Sequence, residues 1–397
     1  MQALDKIENL FLKIHSLVIF HDLLEDPVIK RAVFMLGSVH DDIHNRVKAY
    51  SSFASMLFNR TTCWTDYVLR QTLACENSYI ARYLRNEAVD PVLEECLRYE
   101  LSVLEELSQI NAKDVKEKIG YQGYLPEWTI AKTDFFTSYK ERIDRIEKIG
   151  FGMYSLYRMF TVLERTVVPV KRPDPIRLFD LKGYENQRNI VIDNTLALLK
   201  GKPASNVLLY GDAGTGKSST VKAIVNEYYH LGLRLIEIPK KQMEYLNEVI
   251  EGLYDNPLRF ILFIDDLSFF QENDDFYALK AILEGTAYAK PDNVVIYATG
   301  NRRHLIKEKF SDREGDDVHR NETIQELTSL AARFGIKVGF FRPNKETYLR
   351  IVRELKDQYK IDIDDEELEI QAERFAANGR SPRVARQFIE YLKSKAE

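Results

Sequence analysis

Only three cysteines occur in the 397 residues, Cys63, Cys75 and Cys96. Their number is odd and no pair has C-x-x-C spacing, so neither a disulfide framework nor a zinc site is indicated. No apolar run approaches the roughly 18 residues of a membrane span. The opening MQALDKIENL lacks the basic-then-apolar order of a signal peptide. The expected compartment is therefore the cytoplasm, with no membrane partner. An excess of one charge sign is also missing. With 56 Lys and Arg against 61 Asp and Glu, the net charge of −5 gives no global attraction to nucleic acid or anionic lipid. No segment repeats at a fixed period, which disfavours a solenoid. Glycine is scarce until KIGYQGYLPEW.

What is present reads as an ordinary globular chain, 45% hydrophobic and 29% charged, long enough for two or three domains. Residues 1–166 show apolar positions at three and four, the helical period, and form an all-α N-terminal domain. One helix start is well marked. In AVDPVLEECLRYELSVLEEL, Asp90 is placed as N-cap and Pro91 as first helical residue. Val92, Leu93, Cys96, Leu97, Leu101, Leu104 and Leu107 then form an apolar stripe. Pro169, Pro173 and Pro175 interrupt the pattern, so a linker is placed at 167–180. Beyond it apolar runs alternate with helical or polar segments: NVLLY, RLIEIP, FILFID, NVVIYAT and KVGFF. That order predicts an α/β core over 181–342 with a parallel five-stranded sheet, followed by a helical lid over 343–397.

The stretch GDAGTGKSS, residues 211–219, fills G-x-x-x-x-G-K-S with Gly211, Gly216, Lys217 and Ser218, between an apolar run and a helical segment. Triphosphate oxygens are held by converging backbone N–H groups, which bulky side chains would block. Asp212, Ala213, Gly214, Thr215 and Ser219 complete the cradle. Lys217 is expected on the β- and γ-phosphates, and Ser218 on Mg²⁺. RFILFIDDLSFF puts Asp265 and Asp266 at the end of a strand, where a parallel sheet forms its ligand crevice. There Asp265 can serve the Mg²⁺ shell and Asp266 can orient or deprotonate the attacking water. The strand YATGN offers Thr299 and Asn301 to the γ-phosphate or that water. In SLAARFG, Arg333 is a guanidinium suited to phosphate oxygens.

Taken together and in this order, these motifs resemble an AAA+ ATPase. The match extends over roughly residues 175–395, ending in GRSPRVARQF. More narrowly, DDLSF, YATGNRRHL and LLYGDAGTGKSS are similar to an uncharacterised bacterial AAA+ family with a helical N-terminal region. The resemblance implies catalytic roles for Asp266, Asn301 (sensor 1, with Thr299 as the alternative) and Arg333 (arginine finger). It implies sensor 2 at Arg383 and an adenine-packing lead-in at Leu181, Gly183 and Tyr184. ATP and Mg²⁺ are the implied cofactors, and a ring, for instance a hexamer, the implied assembly. The chain departs from the usual Asp-Glu at the acidic strand, since Asp266 is one methylene shorter.

HDDIH spaces His40 and His44 four apart without a third ligand, so exposed helix histidines are expected rather than a metal site. The basic end of the lid, with Arg380, Arg383, Arg386, Lys393 and Lys395, could touch nucleic acid, though nothing beyond its charge indicates this. The leading reading is ATP-driven remodelling of an unknown protein bound by the N-terminal domain. A nucleotide-dependent scaffold with little hydrolysis, or a P-loop kinase acting on a small acceptor, stand as alternatives.

Overall fold

The computed structural model describes residues 3–267, 283, 291–300, 332–377 and 379–396. The chain divides into two compact units, Met1–Leu156 and Tyr157–Glu397. In the first unit the regular elements are helices: α1 (Ala3–His15), α2 (Pro27–Gly37), α3 (Ile43–Phe58), α4 (Trp64–Ala74), α5 (Ser78–Leu84), α6 (Pro91–Ser108), α7 (Ala112–Ile119), α8 (Phe135–Asp144), α9 (Ile146–Ile149) and α10 (Met153–Leu156). Helix α6 starts as its sequence predicts, with the Asp90 carboxylate accepting from Val92 N at 2.8 Å and Pro91 in the first turn. Its leucines at 97, 101, 104 and 107 are buried. Each contributes about 1.5–3 kcal/mol relative to exposure. Val92, by contrast, is 74% exposed, because the first turn of α6 lies beyond the core. The buried Glu100 carboxylate accepts from the N–H groups of Val18, Ile19 and Phe20, which satisfies three donors of a non-helical turn. His40 contacts Glu8.

Among the described residues, the second unit is built on a seven-stranded sheet. Its elements are β1 (Met159–Leu163), β2 (Thr166–Pro169), α11 (Glu185–Leu199), β3 (Val207–Gly211), α12 (Lys217–Tyr228), β4 (Leu233–Glu237), α13 (Leu246–Glu251), β5 (Arg259–Ile264), β6 (Val294–Gly300) and β7 (Ile336–Phe340). The lid follows as α14 (Lys345–Tyr359), α15 (Asp365–Phe375) and α16 (Pro382–Ala396). The strand order is β2-β1-β4-β5-β6-β3-β7. The five expected strands are β3 to β7, all parallel. Most of their residues are buried whichever face they point to, so they read as near-continuous apolar runs.

Two further strands correct the five-stranded expectation. β1 pairs parallel with β4, and β2 folds back antiparallel on β1. The boundary between the units consequently falls at 156/157, ahead of the proline-rich 167–180 segment. Pro169 ends an edge strand, where a missing N–H costs nothing, and so it does not break structure there. The hairpin escaped the sequence because its two-residue turn, Glu164-Arg165, takes positive φ (45° and 69°) without the Asn or Gly that usually signals one.

Candidate nucleotide-binding site

β3 carries the chain into the sheet and releases it at Gly211. There φ is +125°, and a Cβ would meet Phe340 O at 2.2 Å, so only glycine fits. Asp212 N donates to that same carbonyl at 2.9 Å. The Asp212 carboxylate accepts from Arg342 N at 2.7 Å, tying the loop to the end of β7. Gly214 and Gly216 also have positive φ, and α12 begins at Lys217. The loop is thus a backbone cradle held from below and aimed by a helix N-terminus.

Lys217 is 6% exposed, and its Nζ donates to the carbonyls of Gly211 (3.1 Å) and Asp212 (2.7 Å). Burial pushes its ammonium below the ordinary lysine range, while the carboxylates of Asp212, Asp265 and Asp266 act in the opposite direction. Ser218 Oγ donates to Asp265 Oδ1 at 2.6 Å, and Thr299 Oγ1 donates to the same oxygen at 2.7 Å. The Thr299 hydroxyl also accepts from Asp266 N at 2.8 Å, and its carbonyl accepts from Leu267 N at 2.6 Å. Because β5 and β6 are parallel neighbours in register at Ile264 and Ala298, the residues that follow each strand meet side by side. Asp266 itself has φ +61°, and its Oδ2 lies 3.6 Å from Lys240 Nζ.

Above this floor lies a cavity of about 430 Å³, lined by residues 213–220, Asp265, Asp266 and Thr299 on one side. Ile176, Leu181, Arg188, Ile351, Leu355, Pro382, Arg383 and Arg386 line the other. Of the expected residues, the structure brings Leu181, Arg383 and both aspartates to the cavity with the cradle. Gly211 and Asp212 sit beneath it as supports.

Gly183 and Tyr184 do not line it. A Cβ on Gly183 would meet Ile351 at 2.7 Å. The Tyr184 hydroxyl donates to Phe341 O, and its ring packs 5.4 Å from that of Phe340. Gly183 thus packs against the lid, and Tyr184 against the end of β7. Arg333 is exposed on the turn before β7, off the cavity lining. Asn301 lies outside the described residues.

Sequence reasoning missed the lid's second grip. Arg386 Nη2 donates to Asp180 O at 2.6 Å, and Gln358 Nε2 to Asp180 Oδ1 at 3.1 Å. Arg383 N donates to Gly214 O at 3.2 Å, so the start of α16 rests directly on the cradle. The spacing of Arg383 and Arg386 puts both on one helix face, a signal that could have found Arg386. Asp180 carried no signal for this grip, since it holds Arg386 through its main-chain carbonyl.

A family described as "Protein of unknown function (DUF815)" matches residues 154–396. Among curated proteins, the chromosomal replication initiator protein DnaA of Borrelia garinii subsp. bavariensis is 23% identical over 279 residues, 63% of this chain and 52% of that protein. The chain spans about half the length of the curated relative it matches. Among solved structures, the RuvB Holliday junction branch migration motor of Thermotoga maritima aligns with a TM-score of 0.37 and 19% identity, over 55% of this chain and 63% of that one. PCH-2 of C. elegans aligns with a TM-score of 0.36 and 16% identity, over 55% and 70%.

Proposed function

The chain belongs to the DUF815 family, whose description assigns no activity, and from the site itself we propose that it is a Mg²⁺-dependent, AAA+-type ATPase. The observation that carries this reading is the meeting of Ser218 and Thr299 on one oxygen of Asp265, beside a buried Lys217 at the head of α12. A hydroxyl and a carboxylate side by side suit Mg²⁺, which keeps several waters and takes one or two protein oxygens. Ser218 and Asp265 would hold the ion, which when bound neutralises charge on the β- and γ-phosphates.

The chain's own residues do the rest. Lys217 exchanges its two carbonyl partners for phosphate oxygens. The backbone N–H groups of the cradle hold the β-phosphate, and Arg383 reaches the phosphates from the lid. The water oxygen attacks the γ-phosphorus while its proton passes to Asp266. The bond to the β-phosphate oxygen then breaks, releasing ADP and phosphate. Thr299 fixes both acids, through the Asp265 carboxylate and the Asp266 N–H.

In this reading Arg333, exposed and off its own cavity, serves the neighbouring subunit of a ring, and turnover drives remodelling of a protein bound by the helical unit. The test is phosphate release from Mg-ATP. Lys217→Ala should abolish ATP binding in calorimetry. Asp266→Asn should bind ATP and turn over about 10²-fold more slowly, the size of general-base assistance. Binding that survives Lys217→Ala would sink the cradle, and unchanged turnover in Asp266→Asn would remove that acid from catalysis.

A further inference from the structure

Helix α16 runs along one wall of the cavity, and its position there is fixed at two places. Arg383 N donates to Gly214 O of the cradle at 3.2 Å, and one turn later Arg386 Nη2 donates to Asp180 O at 2.6 Å. Ala385, Phe388 and Ile389 bury the other side of the helix in the lid. Arg383, Gln387 and Glu390, at i, i+4 and i+7, consequently share the face that lines the cavity. At 1.5 Å per residue Glu390 stands about 10 Å beyond Arg383 along the helix axis. Arg383 marks the phosphate end, because it sits on the cradle. Two turns further on, a nucleotide has passed from phosphate to sugar.

A carboxylate beside the phosphates would repel them, whereas at the sugar it meets hydrogen-bond donors. The 2′ and 3′ hydroxyls of a ribose are two O–H groups side by side, and the two oxygens of a carboxylate can accept both. Among the described residues Glu390 makes no hydrogen bond or ion pair with the protein, although it lines the cavity. Its neighbour on the same face, Gln387, makes none either.

We propose that Glu390 is a specificity-determining residue of the nucleotide site, whose carboxylate accepts from the ribose 2′ and 3′ hydroxyls and so favours ribonucleoside triphosphates over their deoxy forms. This rests on reading the cradle as the phosphate site. The lid then reads the nucleotide at two levels of one helix, Arg383 at the phosphates and Glu390 at the sugar.

Calorimetry in the presence of Mg²⁺ compares ATP with 2′,3′-dideoxy-ATP on the full chain, Glu390→Ala, Glu390→Gln and Arg383→Ala. The parent should bind ATP about tenfold more tightly than the dideoxy form, the size of a hydrogen bond to a charged group. Glu390→Ala should remove that preference. Glu390→Gln keeps one carbonyl acceptor in the same shape and should retain part of it. Arg383→Ala should weaken both nucleotides alike and keep the preference, because it acts at the phosphate end. Equal affinity of the parent for the two nucleotides overturns the proposal, and so does a preference that survives Glu390→Ala. A preference that Arg383→Ala also removes overturns the division of α16 into a phosphate end and a sugar end. The two readings fail separately. A parent that binds both nucleotides equally, and loses both in Lys217→Ala, keeps the cradle and sinks only the ribose contact. A parent that binds neither sinks both.

Discussion

Ser218 and Thr299, one from the head of a helix and the other from the end of a strand, donate to the same oxygen of Asp265 at 2.6 and 2.7 Å. Thr299 alone also holds the backbone of the next acid. Removing its hydroxyl as Thr299→Val should leave ATP binding intact and lower kcat about 10- to 100-fold, since a hydrogen bond to a charged group contributes about 1.5–3 kcal/mol. Thr299→Ser should restore most of the rate. A Val variant with parental kcat would assign Thr299 a purely structural role.

Arg333 offers a test of shared sites. A contact in which one subunit's arginine enters the next subunit's site is heterologous, so it closes into a ring or runs on as a helix. Arg333→Ala should retain ATP binding and lose about 10³-fold or more in turnover, the range reported for such arginines. Mixing it with Lys217→Ala should recover part of the activity, because some interfaces then pair an intact cradle with an intact arginine. Absence of recovery, with full activity in a monomer by light scattering, would end the ring reading.

Truncation distinguishes the boundary seen in the fold from the one suggested by the prolines. A chain of residues 157–397 keeps the β1–β2 hairpin, and should fold and bind ATP. A chain of residues 168–397 loses β1, which exposes the β4 edge with its apolar Leu235 and Ile236. It should aggregate or melt at lower temperature. Equal melting temperatures for the two would show the hairpin to be dispensable.

The lid carries a pH dependence of its own. Hydrogen bonding to Arg380, at 2.9 and 2.7 Å, holds the Glu373 carboxyl below its usual range. A lowered folded value means the ionised acid stabilises the lid above the unfolded glutamate value, and this contribution fades as pH falls through the lower folded one. Hydrogen exchange in α15 should therefore be faster in Glu373→Gln than in the parent at pH 7, and the difference should vanish in strong acid. A difference that persists there would trace it to packing instead of charge.

The sequence alone determined the cradle, both acids, the five parallel strands, the start of α6 and the helical character of the first unit. Each of these is written in local signals: glycine where the backbone takes positive φ, apolar runs where strands are buried, Asp-Pro where a helix starts. Tertiary structure decided what no window of sequence contains. Thr299 became the clamp on two acids because β5 and β6 lie side by side. Arg386 and Asp180 came to join lid and lead-in through a main-chain carbonyl, a group every residue has. Gly183 went to the lid and Tyr184 to the end of β7 instead of lining the cavity, since Ile351 and Phe340 fill the space beside them. The hairpin stayed hidden because its turn residues break the usual preference for positive φ, and its pairing partner, β4, lies some 70 residues further along the chain. Contacts between residues so distant depend on how elements pack, and packing is decided by the whole fold at once.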